Sequence, residues 1–558
     1  MRRVAYGLMA LAVAAALTAC SAASGDQAEP AHDGPTGSQQ PEAAPRQGQN
    51  LVFYADGEQR QALDAVKNAG GTVVAEYPKL GYVLTEGGGD KYAETLGANR
   101  AIVGVSPDRR IGSTSSYAAR AARGGFPDAQ SFTKGTSQEP LAHLQWDMKM
   151  IGADRAHAKA PGSKKVLVGV IDTGIDGKHP DIAPNFDREL SRNFVTDRPK
   201  DEHGETLDGP CEATSCKDPV DEDDDGHGTH VASTIASPIN GIGIAGVAPG
   251  VRLVSIRAGQ DSGFFFLKPS LDALTYAADI GVDVVNMSYY VDPWLFNCAA
   301  NTADSRKEQL EQQAVIVGMQ RALDYARGKG VTLISALGNG SSDLGHPATD
   351  KDSPGYPRGD EKTRKVDNTC LNVPAESKGV ISVSAVGPSG RKAIYSDYGI
   401  EQADLSAPGG DVLDGRGAVA TRSILAAAPE HVLKAGGRLD ASGKPKGADV
   451  VQDCHKGVCS YYQYLDGTSM AAPHATGVAA ILISRFGKPG AGGLTLDPAT
   501  VEDLLYKTAD HRPCPTPRAY VYKMYGETET HQCEGDQARN GFYGHGLVDA
   551  WKAATFEP

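Results

Sequence analysis

Between residues 165 and 386 five short segments are almost continuously apolar and rich in β-branched residues: KVLVGVID, VRLVSIRA, VDVVNMS, VTLISAL and GVISVSAV. A strand with one wet face alternates apolar and polar side chains, so an unbroken run must be covered on both faces. That condition is met in a parallel sheet flanked by helices. Helical patterns such as SLDALTYAADIG and QAVIVGMQRALDYARGKG lie between the runs and supply the cover. From about Pro140 onward the chain therefore reads as an α/β domain with a buried, mostly parallel, doubly wound sheet.

A different pattern precedes it. From Asn50, LVFYA reads as a strand, QRQALDAVKNAGG as a helix ended by glycine, TVVAEY and YVLTE as strands, KYAETLGA as a helix and AIVGVSPD as a last strand. The order β-α-β-β-α-β over residues 50–111 is the ferredoxin-like α+β arrangement. Residues 112–137 are small, polar and glycine-containing and read as a cleavable linker. Residues 21–49 hold four Pro, four Gly and no aromatic residue, Val, Ile or Leu, the composition of a disordered tether.

Residues 1–20, MRRVAYGLMALAVAAALTAC, carry two arginines and then an apolar run, Val4 to Leu17, too short for an ordinary spanning helix. This predicts an export signal. Leu17-Thr18-Ala19-Cys20 resembles a bacterial lipobox, in which the cysteine is lipidated and becomes the first mature residue. A conventional cut after Ala23 is the alternative. The chain is expected outside the cell, anchored to the outer face of the membrane through Cys20, or secreted.

Net charge is −14 with an isoelectric point near 5.5, which argues against nucleic acid as a partner. Of nine cysteines, Cys20 is assigned to the anchor. The remaining eight, an even number in an exported chain, suit disulfides. Cys211/Cys216 and Cys454/Cys459 are close enough for local staples. Cys298/Cys370 and Cys514/Cys533 are the simplest remaining pairs among many that are arithmetically open. No cysteine pair has the spacing with nearby histidine of a structural zinc site.

In open α/β sheets ligands bind beyond the carboxyl ends of the strands. The first run ends in Asp172, the third in Asn286-Met287-Ser288, and the fourth leads into Gly338-Asn339-Gly340. DGHGTHVASTIA places His227 ahead of an apolar helix, and YLDGTSMAAPHATGVAAI places Ser469 ahead of another. Taken alone, Ser469 reads equally well as a helix cap or a nucleophile. Together, a carboxylate, an imidazole, a hydroxyl and a carboxamide at one sheet edge suit acyl transfer.

VIDTGIDGKHPDI, GHGTHVAS, NMS, GNG and GTSMAAPHATGVAA resemble the subtilisin-like serine proteases, with Asp, His and Ser in that family's order. The likeness spans about residues 140–555. It implies a three-layer α/β fold for residues 138–558 and a serine endopeptidase made as an autoprocessed zymogen, with residues 50–111 as its intramolecular inhibitor. It implies Asp172 as the orienting acid, His227 as the base, Ser469 as the nucleophile and Asn339 as an oxyanion donor. Ser288 and Gly338 then contact protein or peptide substrate. No cofactor is implied for catalysis. A serine-carboxyl peptidase would lack the GHGTHVA histidine, and an inactive binding module would lack part of the set. Where the family follows NMS with a small glycine-containing stretch, this chain has Tyr289-Tyr290-Val291, so substrate preference does not carry over.

Asp221, Asp223, Asp225 and Gly226 spell the first half of an EF-hand loop, but the twelfth position is Ala232 where Glu is needed. A full EF-hand is excluded, and a structural calcium site of another geometry stays open. Asp181 and Asn240 match positions of a calcium site in the resembled family, without a recognisable N-terminal ligand.

Overall fold

The computed structural model describes residues 48–108, 139–201, 203–415, 419–490, 492–524 and 527–557. The signal, the lipobox, nearly all of the tether and the linker 112–137 lie outside these residues. Among the described residues no helix is long and apolar enough to cross a membrane.

Seven strands form the main sheet. Their order is Leu405–Pro408, Val380–Val386, Thr332–Ala336, Val284–Met287, Leu167–Asp172, Arg252–Arg257 and Arg192–Asn193, and all pairings are parallel. The five apolar runs are its five inner strands, and each is covered on both faces, as continuous apolarity demands. One face is covered by the helices His227–Ala236 and Thr468–Phe486, whose small residues share a core with Val168, Val284 and Ile334. The other is covered by Leu267–Asp279 and Arg306–Gly328 through Leu271, Leu274, Met319 and Leu323. This is the expected three-layer fold.

Residues 49–107 form a four-stranded antiparallel sheet in the order Gly71–Tyr77, Tyr82–Gly87, Gln49–Tyr54, Ile102–Pro107, with helices Gln59–Asn68 and Tyr92–Gly97. The ferredoxin-like reading holds, with the first strand starting at Gln49, two residues before the expected Leu51. Phe53 and Tyr82 of this sheet share a core with Leu267, Ala314 and Met319. Arg321 donates to the carbonyls of Leu80, Gly81 and Tyr54.

The stretch between Gly409 and Gly467 builds a second sheet, Ile424–Ala427, Val458–Leu465 and Val450–His455, with the helix Glu430–Ala435. Cysteines pair as Cys211–Cys216, Cys298–Cys370, Cys454–Cys459 and Cys514–Cys533.

Candidate active site

Asp172 is the last residue of its strand and is fully buried. Its Oδ1 accepts from the Thr173 amide at 2.8 Å and from His227 Nδ1 at 2.7 Å. Because the carboxylate accepts a hydrogen bond from Nδ1–H, the neutral ring keeps its proton there and carries its lone pair on Nε2. No described residue hydrogen-bonds that Nε2.

His227 opens its helix, and Asp223 sets where the helix begins. Asp223 Oδ1 accepts from Thr173 Oγ1 at 2.9 Å and Gly226 N at 2.9 Å. Its Oδ2 accepts from Thr229 N at 2.8 Å and Thr229 Oγ1 at 2.6 Å. Thr173 Oγ1 in turn accepts from Gly228 N at 3.0 Å. One carboxylate therefore fastens the turn after Asp172 to the first turn of the His227 helix and satisfies amides that a helix start leaves open.

Ser469 lies in the first turn of Thr468–Phe486. Its Oγ donates to Ser288 O at 3.2 Å, and Ser288 Oγ donates to Ser469 O at 3.0 Å. Ile171 pairs with Met287, so Asp172 and Ser288 follow side by side on adjacent strands, about 4.8 Å apart. The dyad and the serine thus hang from neighbouring strand ends. Asn286 Nδ2 donates to Ser288 Oγ at 2.8 Å, so the Ser288 side chain braces the edge from within the protein.

Asn339 Oδ1 accepts from Thr468 N at 2.9 Å and Thr468 Oγ1 at 2.8 Å, which fixes which end of the amide is nitrogen. Thr468 Oγ1 also accepts from Gly338 N at 3.1 Å. A Cβ built on Gly467 would lie 3.6 Å from Asn339 Nδ2 and 3.6 Å from Ser469 N. Asn339 Nδ2 and Ser469 N thus border one small space beside Gly467.

Burial opposes charge on His227. The charge and hydrogen bond of Asp172, joined by Asp225 and Asp223, outweigh burial and raise the imidazole to about 9. Asp225 Oδ1 accepts from His227 N at 3.0 Å, and burial lifts Asp225 itself to about 7.

The half EF-hand does not gather its carboxylates. Asp221 pairs with Arg188, Asp223 is the fastening just described, and Asp225 caps His227. Others converge: Asp197, Glu212 and Asp261 form one group, and Asp218, Asp224 and Asp261 another. Arg257, fully buried, pairs with Asp218 at 2.7 Å, Asp197 at 3.3 Å and Asp261. At the other family position, Asp181 Oδ2 accepts from Tyr462 OH at 3.0 Å and Ile244 N at 3.1 Å, while Asn240 Oδ1 accepts from Ile242 N at 2.9 Å. Gly241 N donates to Glu139 Oε1 and Gly243 N to Asp453 Oδ2. Donors answer Asp181 Oδ2 and Glu139 Oε1, while Asp181 Oδ1 is buried and receives no hydrogen bond from a described residue.

A serine hydroxyl becomes a nucleophile only through a base that a carboxylate orients and a donor pair that accepts the new charge. Fold and side chains together thus define a class, a three-layer α/β protein with a carboxylate–imidazole pair and a helix-borne serine at one sheet edge. The subtilase (peptidase S8) family profile matches residues 163–546, and the chain belongs to that family. Among curated relatives, the thermophilic serine proteinase of Bacillus sp. strain AK1 is 28% identical over 333 residues, 60% of this chain and 55% of that protein. Subtilisin DY of Bacillus licheniformis is 26% identical over 366 residues, 66% of this chain and 91% of that protein. This chain spans about half the length of the first of these. The epidermin leader peptide processing serine protease of Staphylococcus aureus is similar in fold, with a TM-score of 0.57 at 21% identity over 92% of this chain and 99% of that one.

Sequence reading missed the residues that hold the site. Asp223 was visible only as part of an acidic run, and Thr173 and Thr468 as neighbours of motif residues. Spacing signals no bond between elements far apart in the chain.

Proposed function

We propose that this chain is a serine endopeptidase that hydrolyses peptide bonds in proteins through Asp172, His227 and Ser469. The observation that supports this most is the 2.7 Å bond from His227 Nδ1 to Asp172, one strand away from the carbonyl that accepts Ser469 Oγ. In this reading His227 Nε2 takes the Ser469 proton as Oγ attacks the substrate carbonyl. The oxyanion forms between Asn339 Nδ2 and Ser469 N, and Asp172 stabilises the imidazolium. His227 then protonates the leaving amine, and a water activated by the same nitrogen releases the acyl group. Asn339 and the edge around Ser288 and Gly338 contact the substrate. Tyr289, buried and stacked on Phe265 at 4.1 Å, narrows the subsites upstream of the scissile bond.

The ferredoxin-like body serves as an intramolecular inhibitor until the linker 112–137 is cut, and Cys20 anchors the exported protein to the membrane. Calcium, where bound, is held by Asp197, Glu212 and Asp261, hard oxygen donors of the kind it takes. N-terminal sequencing of purified wild-type and Ser469→Ala proteins tests the reading. Wild type is expected to begin beyond residue 111 and the variant to keep residues 50–111. Identical termini in both overturn autoprocessing.

A further inference from the structure

Asn339 sits on a loop whose geometry is imposed from behind. The segment 393–398 runs along residues 338–344. Ser341 N donates to Tyr395 O at 2.8 Å, Tyr398 N to Ser342 O at 3.0 Å and Leu344 N to Tyr398 O at 2.8 Å. At the centre of this ladder is Asp397. Its amide donates to Gly338 O at 2.9 Å, and its Oδ1 accepts from Gly340 N at 2.9 Å and Ser342 N at 2.7 Å. One residue thus grips the chain on both sides of Asn339.

Asp397 also explains Gly338. That residue has φ +131°, and a Cβ on it would come within 2.1 Å of Asp397 Oδ2. Only glycine suits both the backbone angle and the space the carboxylate occupies. With the Asn339 Oδ1 end taken by Thr468, the remaining freedom of the amide lies in the backbone of residues 338–340, which Asp397 removes.

A carboxylate this close would oppose an oxyanion unless its charge were answered. Two loop amides and the nearby Lys392, itself fully buried, act in that direction, while burial acts against charge on both groups, raising the carboxyl and lowering the ammonium, each to about 7. Lys392 Nζ donates to Ala393 O at 2.9 Å and to Ser396 O at 2.5 Å. The rings of Tyr398, Phe542 and Tyr522 stand 4.9, 5.6 and 5.7 Å from it. Tyr522 OH donates to Lys392 O at 2.8 Å, which ties the hairpin Ala519–Gln532 to this support.

We propose that Asp397 is a positioning residue that holds Asn339 Nδ2 in register with Ser469 N. It is 2% exposed and touches no substrate, so it acts through Asn339. The proposal rests on the reading of Asn339 as an oxyanion donor. Misplacing a group by about 1 Å costs up to a hundredfold in rate, so the effect falls on turnover rather than on binding.

The test is a double-mutant cycle on the processed enzyme with a chromogenic peptide, using Asn339→Ala, Asp397→Ala and the double variant, with Asp397→Asn as the conservative change. Asp397→Ala is expected to lower kcat by about tenfold or more with KM within about twofold. Asp397→Asn, which keeps the Oδ1 acceptor, restores most of that loss. On the Asn339→Ala background, Asp397→Ala adds little, because the residue it positions is gone. If Asp397→Ala does not fold, Asp397→Glu takes its place in the cycle, with the same non-additivity expected. Fully multiplicative losses, or a rise in KM alone, overturn the positioning role while leaving Asn339 in place. Wild-type kcat in Asn339→Ala overturns the oxyanion reading and this proposal with it.

Discussion

The hydroxyl of Ser469 donates to the carbonyl oxygen of Ser288, not to His227, at 3.2 Å. In the proposed mechanism the hydroxyl turns from that carbonyl to His227 Nε2 before it attacks. Ser288 supports both ends of this arrangement, since its own Oγ holds Ser469 O and receives Asn286 Nδ2. Ser288→Ala leaves a buried amide donor and a helix carbonyl without a partner. Stability is expected to fall by about 1–3 kcal/mol. Urea unfolding measures the loss, and an unchanged midpoint contradicts the bracing role.

Activity should follow the charge state of His227. An ordinary imidazole titrates near 6.5, and this one is raised to about 9, chiefly by Asp172 acting against burial. The base must be neutral, so kcat/KM is expected to climb with pH toward 9 rather than level off near 7. Asp172→Asn should move the inflection down and reduce turnover steeply. The stability sign is opposite. A folded-state value above the unfolded one stabilises fully below about 6.5 and ceases to do so as pH rises through about 9. Unfolding midpoints of wild type and His227→Ala across this window should therefore converge at high pH.

Arg257 is the one cation that pairs with Asp197, Asp218 and Asp261 together among the described residues. Removing one partner of a buried ion pair costs about 3–5 kcal/mol. Arg257→Met is expected to lose at least that much, and calcium should recover part of it if the carboxylates take a cation. Melting scans with calcium and with EDTA measure both effects. A wild-type midpoint in the variant contradicts the structural role of Arg257.

Two of the disulfides differ in the loop they close. Cys298–Cys370 spans 72 residues of sequence and Cys514–Cys533 spans 19. On the chain-entropy account these contribute about 4 and about 3 kcal/mol. Denaturant unfolding of the double-alanine variants should rank them in that order, and the reverse order rejects loop length as the cause.

The sheet was legible because its strands are covered on both faces. Continuous runs such as VRLVSIRA and GVISVSAV can hardly be anything else. The edge residues Asp172, His227, Asn339 and Ser469 were legible because each abuts a helix start or strand end. The acidic run could not be resolved into roles because its charges look alike in sequence. In the fold they separate into a helix fastening at Asp223, a cap at Asp225 and a cluster around Arg257. The support of Asn339 by Asp397 was not legible, because it joins segments 57 residues apart in sequence.

The central claim is that Ser469 is activated by His227. Purified wild-type, His227→Ala and Ser469→Ala proteins exposed to a fluorophosphonate probe test it directly, with mass spectrometry to locate the adduct. Labelling confined to Ser469 in wild type, and lost in both variants, is the predicted result. An adduct on another residue, or undiminished labelling of His227→Ala, would contradict the account.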